Sequence, residues 1–271
     1  VLPTALVIGV QKGGTTWVYE YLRRRGDVVL PRGVKETFFF DRSHDRGLSW
    51  YERHFPDAGR ACVEVAPTYI NCDEAPARVL AALGAVPVLA VLRHPAERTF
   101  SLYLHMRRYG MTRLAFREAV AEIPQLLASA QYFERLQPWR DAFGDSRVKI
   151  ALFDDLRVDP AAFSLACSSA LGLPPRDVPV SLPNAMNVAA LPHSPMAAAI
   201  GQRIADGFRA AGLYPVVNFA KELGLKRLLF SGGGPVPRLA AEDRAWLCEH
   251  FRPDVERLEV LLGRSLAAWK A

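Results

Sequence analysis

The run Ala5-Leu6-Val7-Ile8-Gly9-Val10 is apolar at nearly every position, which predicts a strand buried on both faces of a sheet. A polar, glycine-containing turn follows at Gln11 to Thr15. Thr16 to Arg25 then carry Trp17, Tyr21 and Leu22 at helical spacing, with Gly26 suited to the C-terminal cap. Further buried strands are predicted at Ala61 to Val65, Pro87 to Leu92 and Val148 to Phe153. Between them, Ala75 to Leu83, Ala96 to Tyr109 and Leu114 to Ala121 read as helices. Strands alternating with helices imply an α/β fold: one central parallel sheet flanked by helices on both faces. Ala240 to Leu262 is periodic and helical, with Trp246, Leu247, Phe251, Leu258 and Leu261 apolar, and Pro253 is expected to break or kink it. Leu182 to Pro237 is less regular. It reads as a helix near Met196 to Ala210 flanked by long loops, the kind of segment that often covers a substrate. No internal repeat and no second-domain boundary stands out.

Composition changes this picture little. A length of 271 residues suits one large α/β domain, and 50% hydrophobic residues can fill its core. The net charge of +6 suits an anionic ligand but does not choose between a nucleotide and an acidic polymer. Cys62, Cys72, Cys167 and Cys248 have no metal-ligand spacing, and no metal site is expected. A Cys62–Cys72 bridge is conceivable but not demanded, and the usage fits a reducing, cytoplasmic setting. No apolar run is long enough to span a membrane, and no signal peptide is visible, although an upstream targeting segment stays open.

Chemistry enters with Gly9-Val10-Gln11-Lys12-Gly13-Gly14-Thr15-Thr16-Trp17, set between strand and helix. Its glycines let backbone N–H groups converge on an anion, and the helix N-terminus adds partial positive charge. Gly9 and Gly14 have the spacing of the ATP-binding loop G-x-x-x-x-G-K-[ST], but Thr15 stands where that loop has lysine. Lys12 lies on the loop instead, within reach of an oxygen that bridges a 5′-phosphate to a transferred group. Arg93 closes a predicted strand, where ligands gather in open α/β sheets, and Ser101 lies two turns along the next helix. An arginine fork and a hydroxyl can together bind a terminal phosphate. Taken singly, Arg93 is better explained by a strand-end salt bridge, Ser101 by a solvated helix position, and Glu36 by an ion pair with Lys35 or Arg32.

Gln11 to Trp17 resemble the 5′-phosphosulfate loop of PAPS-dependent sulfotransferases (PAPS, 3′-phosphoadenosine 5′-phosphosulfate). The resemblance continues through Lys35-Glu36-Thr37-Phe38-Phe39-Phe40-Asp41, Gly47 to Tyr51, Glu64 to Tyr69, Leu92 to Arg98 and Ser101-Leu102-Tyr103, with a weaker echo at Leu262 to Trp269. Together these segments are similar to the heparan sulfate 3-O- and N-sulfotransferases. The resemblance implies a single P-loop-like domain over 1–271, with the donor-binding core mainly in 1–160 and acceptor, lid and C-terminal helical parts in about 180–271. It implies PAPS as co-substrate and PAP as product, without metal. Gln11, Lys12, Gly13, Gly14, Thr15, Thr16 and Trp17 would surround the 5′ side. Arg93 and Ser101 would hold the 3′-phosphate, and Tyr132 would lie near the nucleotide. Relatives carry a basic Gly-Arg loop late in the chain where Ser231-Gly232-Gly233-Gly234 stand here, so Lys226 or Arg227 would have to supply that charge. The paired cysteines of the 3-O branch are not evident.

On the acceptor side the resemblance makes Glu36 the general base, with Lys12 stabilising the leaving group. Lys35, Glu64 and His105 are candidate acceptor contacts. Cytosolic-type relatives use a histidine base, but none of His44, His54, His94 and His105 displaces Glu36. The expected partner is a glycan, glycoside or small natural product, not nucleic acid. A P-loop small-molecule kinase and a non-catalytic module for anionic glycans are the competing readings, and the oligomeric state is unreadable.

Overall fold

The computed structural model describes residues 1–55, 59–176, 200–201, 203–204, 207–208 and 237–271. Strands β1 (Ala5–Gly9), β2 (Val28–Val29), β3 (Ala61–Val65), β4 (Val88–Leu92) and β5 (Val148–Leu152) pair in parallel in the order β2-β3-β1-β4-β5. The helices are α1 (Thr15–Arg25), α2 (Phe39–Arg42), α3 (Leu48–Glu52), α4 (Ala75–Leu83), α5 (Pro95–Arg108), α6 (Phe116–Glu122), α7 (Gln125–Ala128), α8 (Tyr132–Phe143), α9 (Phe153–Val158), α10 (Pro160–Ala170) and α11 (Ala241–Leu262).

Side chains alternate across the sheet because the strand period is two. Leu6 and Ile8 of β1, with Val88, Ala90 and Leu92 of β4, enter one core beside Leu102, Leu136, Trp139 and Phe251. Ala5 and Val7, with Leu89 and Val91, enter the other beside Trp17, Tyr21, Phe163 and Cys167. Helices therefore cover both faces, as the alternation of strands and helices predicts. The turns after β1, β3, β4 and β5 gather at the carboxyl edge of the sheet, where the candidate site lies.

Several boundaries differ from the expectation. Phe153 opens α9 instead of ending β5, and α6 begins at Phe116. The helix predicted to fail at Pro253 continues through it. Pro253 is exposed, as is Glu249 one turn back, so water can take the carbonyl that loses its N–H partner. Helices α8 and α10 were not anticipated. The N-terminus of α8 is capped across the fold, where Asp254 of α11 accepts from the N–H groups of Phe133 and Glu134 at 3.1 and 3.3 Å. All four cysteines are free, so the conceivable Cys62–Cys72 bridge is not formed. Within Met196 to Ala210 the described positions are helical. The flanking loops, Lys226, Arg227 and Ser231 to Gly234 lie outside the described residues. Among the described residues, no helix is long and apolar enough to cross a membrane.

Candidate active site

The loop from Val10 to Gly14 is shaped by close approach to its neighbours. The Val10 N–H donates to the Val91 carbonyl at 3.0 Å, anchoring the loop to β4. A Cβ on Gly13 would lie 2.5 Å from the Val91 carbonyl oxygen. One on Gly14 would collide with the Phe153 ring, and Gly14 also has φ 102°. Only glycine fits both positions. Lys12 adopts a left-handed backbone with φ 68°, uncommon for a residue with a side chain. Among the described residues, the N–H groups of Lys12, Gly14, Thr15 and Thr16 donate to no backbone acceptor. The first turn of α1 holds no acidic residue and no side-chain cap. These donors and the helix dipole thus remain available to an anion.

The electrostatics point the same way. Burial, then the charges of Arg93, Arg108, Lys35 and Arg98, lower the Lys12 ammonium from its usual 10.5 to about 8. The charges acting on it most strongly are all cationic. Such a cluster is costly until a multiply charged anion enters it.

Lys35 joins this loop to the glutamate segment. Its Nζ donates to Thr16 Oγ1 at 3.1 Å and lies 3.6 Å from Glu36 Oε1. Burial raises the Glu36 carboxyl above the ordinary range, while Lys35 opposes the rise. The next residue, Thr37, is pinned. Its N–H and Oγ1 donate to Glu64 Oε1 at 3.0 and 2.6 Å. Glu64 Oε2 accepts from Tyr51 and Tyr69 at 2.7 and 3.0 Å, and Phe39 N–H donates to the Tyr69 hydroxyl at 3.0 Å. Glu64 is fully buried with both oxygens occupied. In place of the anticipated acceptor contact, it fixes the backbone beside Glu36. Phe39, Phe40 and Tyr51 are core residues. Replacing Glu64 by Leu strands several buried donors. Urea unfolding of Glu64→Leu is expected to show a loss of about 3 kcal/mol or more, and a stability equal to the parent would contradict this role.

At the end of β4, Arg93 pairs with Glu97 at 2.9 Å and lies over the Phe153 ring at 5.4 Å. Glu97 also meets Arg244 at 3.5 Å and Arg157 at 4.0 Å. Ser101 and His105 share one face of α5, one turn apart and half-buried, and the His105 ring packs on Tyr109 at 4.6 Å. Tyr132 is fully buried, and its hydroxyl donates to the Arg93 carbonyl at 2.7 Å. It therefore sets Arg93 from behind and does not line a nucleotide surface. Trp17 is likewise core, stacked on Tyr21 at 5.7 Å and edge-on to Phe163 at 5.6 Å. Its place in the loop motif reflects the anchoring of α1. His94 is local structure: its Nε2 sits 2.9 Å from Arg244, and burial then Arg244 lower it to about 4.

Arg98, the last residue of the Leu92 to Arg98 segment, lies inside the fold. It is fully buried, donating from Nε to the Gln11 carbonyl at 3.0 Å and from Nη1 to Ser129 Oγ. Arg108, overlooked in the sequence, ranks just after Arg93 among the charges on Lys12. The C-terminal echo also closes on the site. Trp269 donates to Asp154 at 2.7 Å, Arg264 forks onto Asp155 at 2.6 and 2.7 Å, and the Trp269 ring lies 6.1 Å from Tyr132. These contacts join residues more than a hundred positions apart, so local sequence carried no signal for them.

Residues 2–182 match the family described as the sulfotransferase domain. Mouse heparan sulfate glucosamine 3-O-sulfotransferase 3B1 is 34% identical over 184 residues, covering 64% of this chain and 46% of that protein. Mouse bifunctional heparan sulfate N-deacetylase/N-sulfotransferase 2 is 30% identical over 197 residues, covering 64% of this chain and 22% of that protein. The chain thus spans less than half the length of these relatives. In fold, it is similar over 100% of both chains to the sulfotransferase from Alicyclobacillus acidocaldarius, with a TM-score of 0.72 at 24% identity. The glycine loop after β1, the Lys35-Glu36 segment and the Arg93 to Ser101 stretch all fall within the matched residues, and the chain belongs to the sulfotransferase domain family, with heparan sulfate 3-O- and N-sulfotransferases among its relatives.

Proposed function

We propose that this chain transfers the sulfuryl group of PAPS to a hydroxyl or amine of an acceptor, a glycan or glycoside by analogy with its relatives. The observation that carries the reading is the Lys35 bridge. It ties Thr16 at the start of α1 to Glu36, so the glycine loop and a half-buried carboxylate share one site. In this reading the loop N–H groups, Lys12 and Thr16 bind the 5′-phosphosulfate. The acceptor oxygen or nitrogen attacks sulfur in line with the bridging oxygen. The S–O bond to the phosphate breaks, PAP departs with that electron pair, and Glu36 takes the acceptor proton. Lys12 offsets the charge that develops on the leaving oxygen. Arg93 and Ser101 are assigned to the 3′-phosphate, Arg93 exchanging part of its contact with Glu97 for the ligand.

The kinase alternative is disfavoured by Lys12 lying on the loop and Thr15 at the helix start. The glycan-binding alternative leaves the raised Glu36 carboxyl without a task. Calorimetry separates the readings. The protein is expected to bind PAP more tightly than ATP with Mg²⁺, and the reverse order would overturn the assignment. In Arg93→Ala, loss of a charge-assisted contact should weaken PAP roughly 10- to 100-fold, with 5′-monophosphates changed far less. Equal weakening of both would remove Arg93 from the 3′ side.

A further inference from the structure

Arg98 is a buried cation without a carboxylate partner among the described residues. Its Nε holds the Gln11 carbonyl, 87 residues away in sequence, and its Nη1 holds Ser129 Oγ, which in turn donates to the Gln125 carbonyl. Its Nη2 has no partner. A guanidinium is seldom left like this, because removing charge from water without a counter-ion destabilises the fold. Packing alone would be served better by an apolar side chain.

The contact to Gln11 suggests what is gained. A trans peptide unit is planar, and its C=O and N–H point in opposite directions. Arg98 draws the Gln11 carbonyl toward itself and so turns the Lys12 N–H away, to the side left open for an anion. That N–H has no backbone acceptor among the described residues. The same grip borders Lys12, whose left-handed backbone needs outside support. Arg98 also ranks among the cations that act on the Lys12 ammonium.

We infer that Arg98, braced by Ser129, is a positioning residue for the donor loop: it sets the Gln11–Lys12 peptide so that the Lys12 N–H faces the bound phosphosulfate, and its unpaired charge finds its counter-ion in that ligand. This inference rests on the PAPS reading of the site. The anion is the missing partner of a charge already built into the fold, so the ligand-free protein carries an electrostatic penalty that binding relieves. The geometry asks for a fork, not merely a charge. Lysine retains the cation but cannot hold Gln11 and Ser129 together.

The test compares PAP binding by calorimetry, and melting with and without PAP, in the parent, Arg98→Lys and Ser129→Ala. Parent protein that fails to bind PAP would sink the PAPS reading itself. Given parent binding, Arg98→Lys is expected to weaken PAP at least tenfold and to lose most of the PAP-induced rise in melting temperature. Its ligand-free melting temperature should stay near that of the parent. A residue needed only for packing would do the opposite, lowering the ligand-free melting temperature and leaving the affinity of the folded fraction intact. Parent-like PAP affinity in Arg98→Lys overturns the inference. If that variant does not fold, Ser129→Ala decides. It keeps the arginine and frees one arm, and a severalfold loss of PAP affinity, restored in Ser129→Thr, is expected. Unchanged affinity in Ser129→Ala rejects the role.

Discussion

Glu36→Gln is expected to lower kcat by about 10²- to 10⁴-fold, the usual worth of a positioned general base, while PAP affinity stays within about twofold of the parent. The substitution keeps size and polarity, removes the proton acceptor, and leaves the Lys35–Thr16 contact in place. Burial raises the Glu36 carboxyl, which brings it nearer the pKa at which a base works best close to neutrality. The same shift has a stability consequence. A carboxyl raised above its unfolded value stabilises the fold in its protonated form. That contribution is full at low pH and is lost as pH rises through the folded value. Above that point the ionised group is a liability to the fold, so Glu36→Gln should melt no lower than the parent near neutral pH. Single-turnover kinetics with labelled PAPS and differential scanning calorimetry read the two effects separately. Parent-like turnover, or loss of PAP binding in step with kcat, would remove Glu36 from the proton-transfer step.

Four of the five strands were legible, β1 and β4 most plainly because they are continuous apolar runs suited to burial on two faces, whereas β2, two residues long, is too short to carry a pattern. The glycine loop after β1 was legible as a pattern, because Gly9, Lys12, Gly13 and Gly14 stand close together in sequence between a strand and a helix. What restricts those glycines is tertiary: a Cβ added at Gly13 or Gly14 would run into the Val91 carbonyl or the Phe153 ring. What escaped was whatever depends on distant partners. Glu64 reads as a strand-end carboxylate and becomes intelligible only when Thr37, Tyr51 and Tyr69 converge on it. Tyr132 and Trp17 sit in motif positions, and sequence cannot tell a motif residue that touches ligand from one that supports its neighbour. Helix α8 contains Pro138 and takes its cap from Asp254, so neither its interior nor its start announces a helix locally. Pro253 misled for a related reason: the cost of proline in a helix depends on whether the orphaned carbonyl is wet, and exposure is a tertiary property.

Lys12→Met carries the second large effect, a fall in kcat of about 10²- to 10³-fold, the range seen when one group stabilising transition-state charge is removed. The pH profile distinguishes this role from simple phosphate binding. The ammonium must be protonated to offset charge on the departing oxygen, and its value is lowered to about 8 by burial and the surrounding cations. In the free enzyme, kcat/KM should therefore decline above about pH 8, while the acid limb reports Glu36 above the ordinary carboxylate range. A bound polyanion favours the charged lysine, so the alkaline limb of kcat should lie at higher pH than that of kcat/KM. Lys12→Met should abolish the alkaline limb together with the rate. The sign for stability runs against the sign for activity. A lysine lowered from 10.5 to about 8 is penalised in the fold whenever it is charged, on the order of 3 kcal/mol below pH 8. Between those values the unfolded chain holds the extra proton, so the ligand-free parent gains stability as pH rises from about 8 toward 10.5. Lys12→Met is thus expected to be inactive yet more stable than the parent at pH 7, and to gain less from added PAP. A variant that loses activity and stability together would mean that Lys12 serves the fold and not the leaving group.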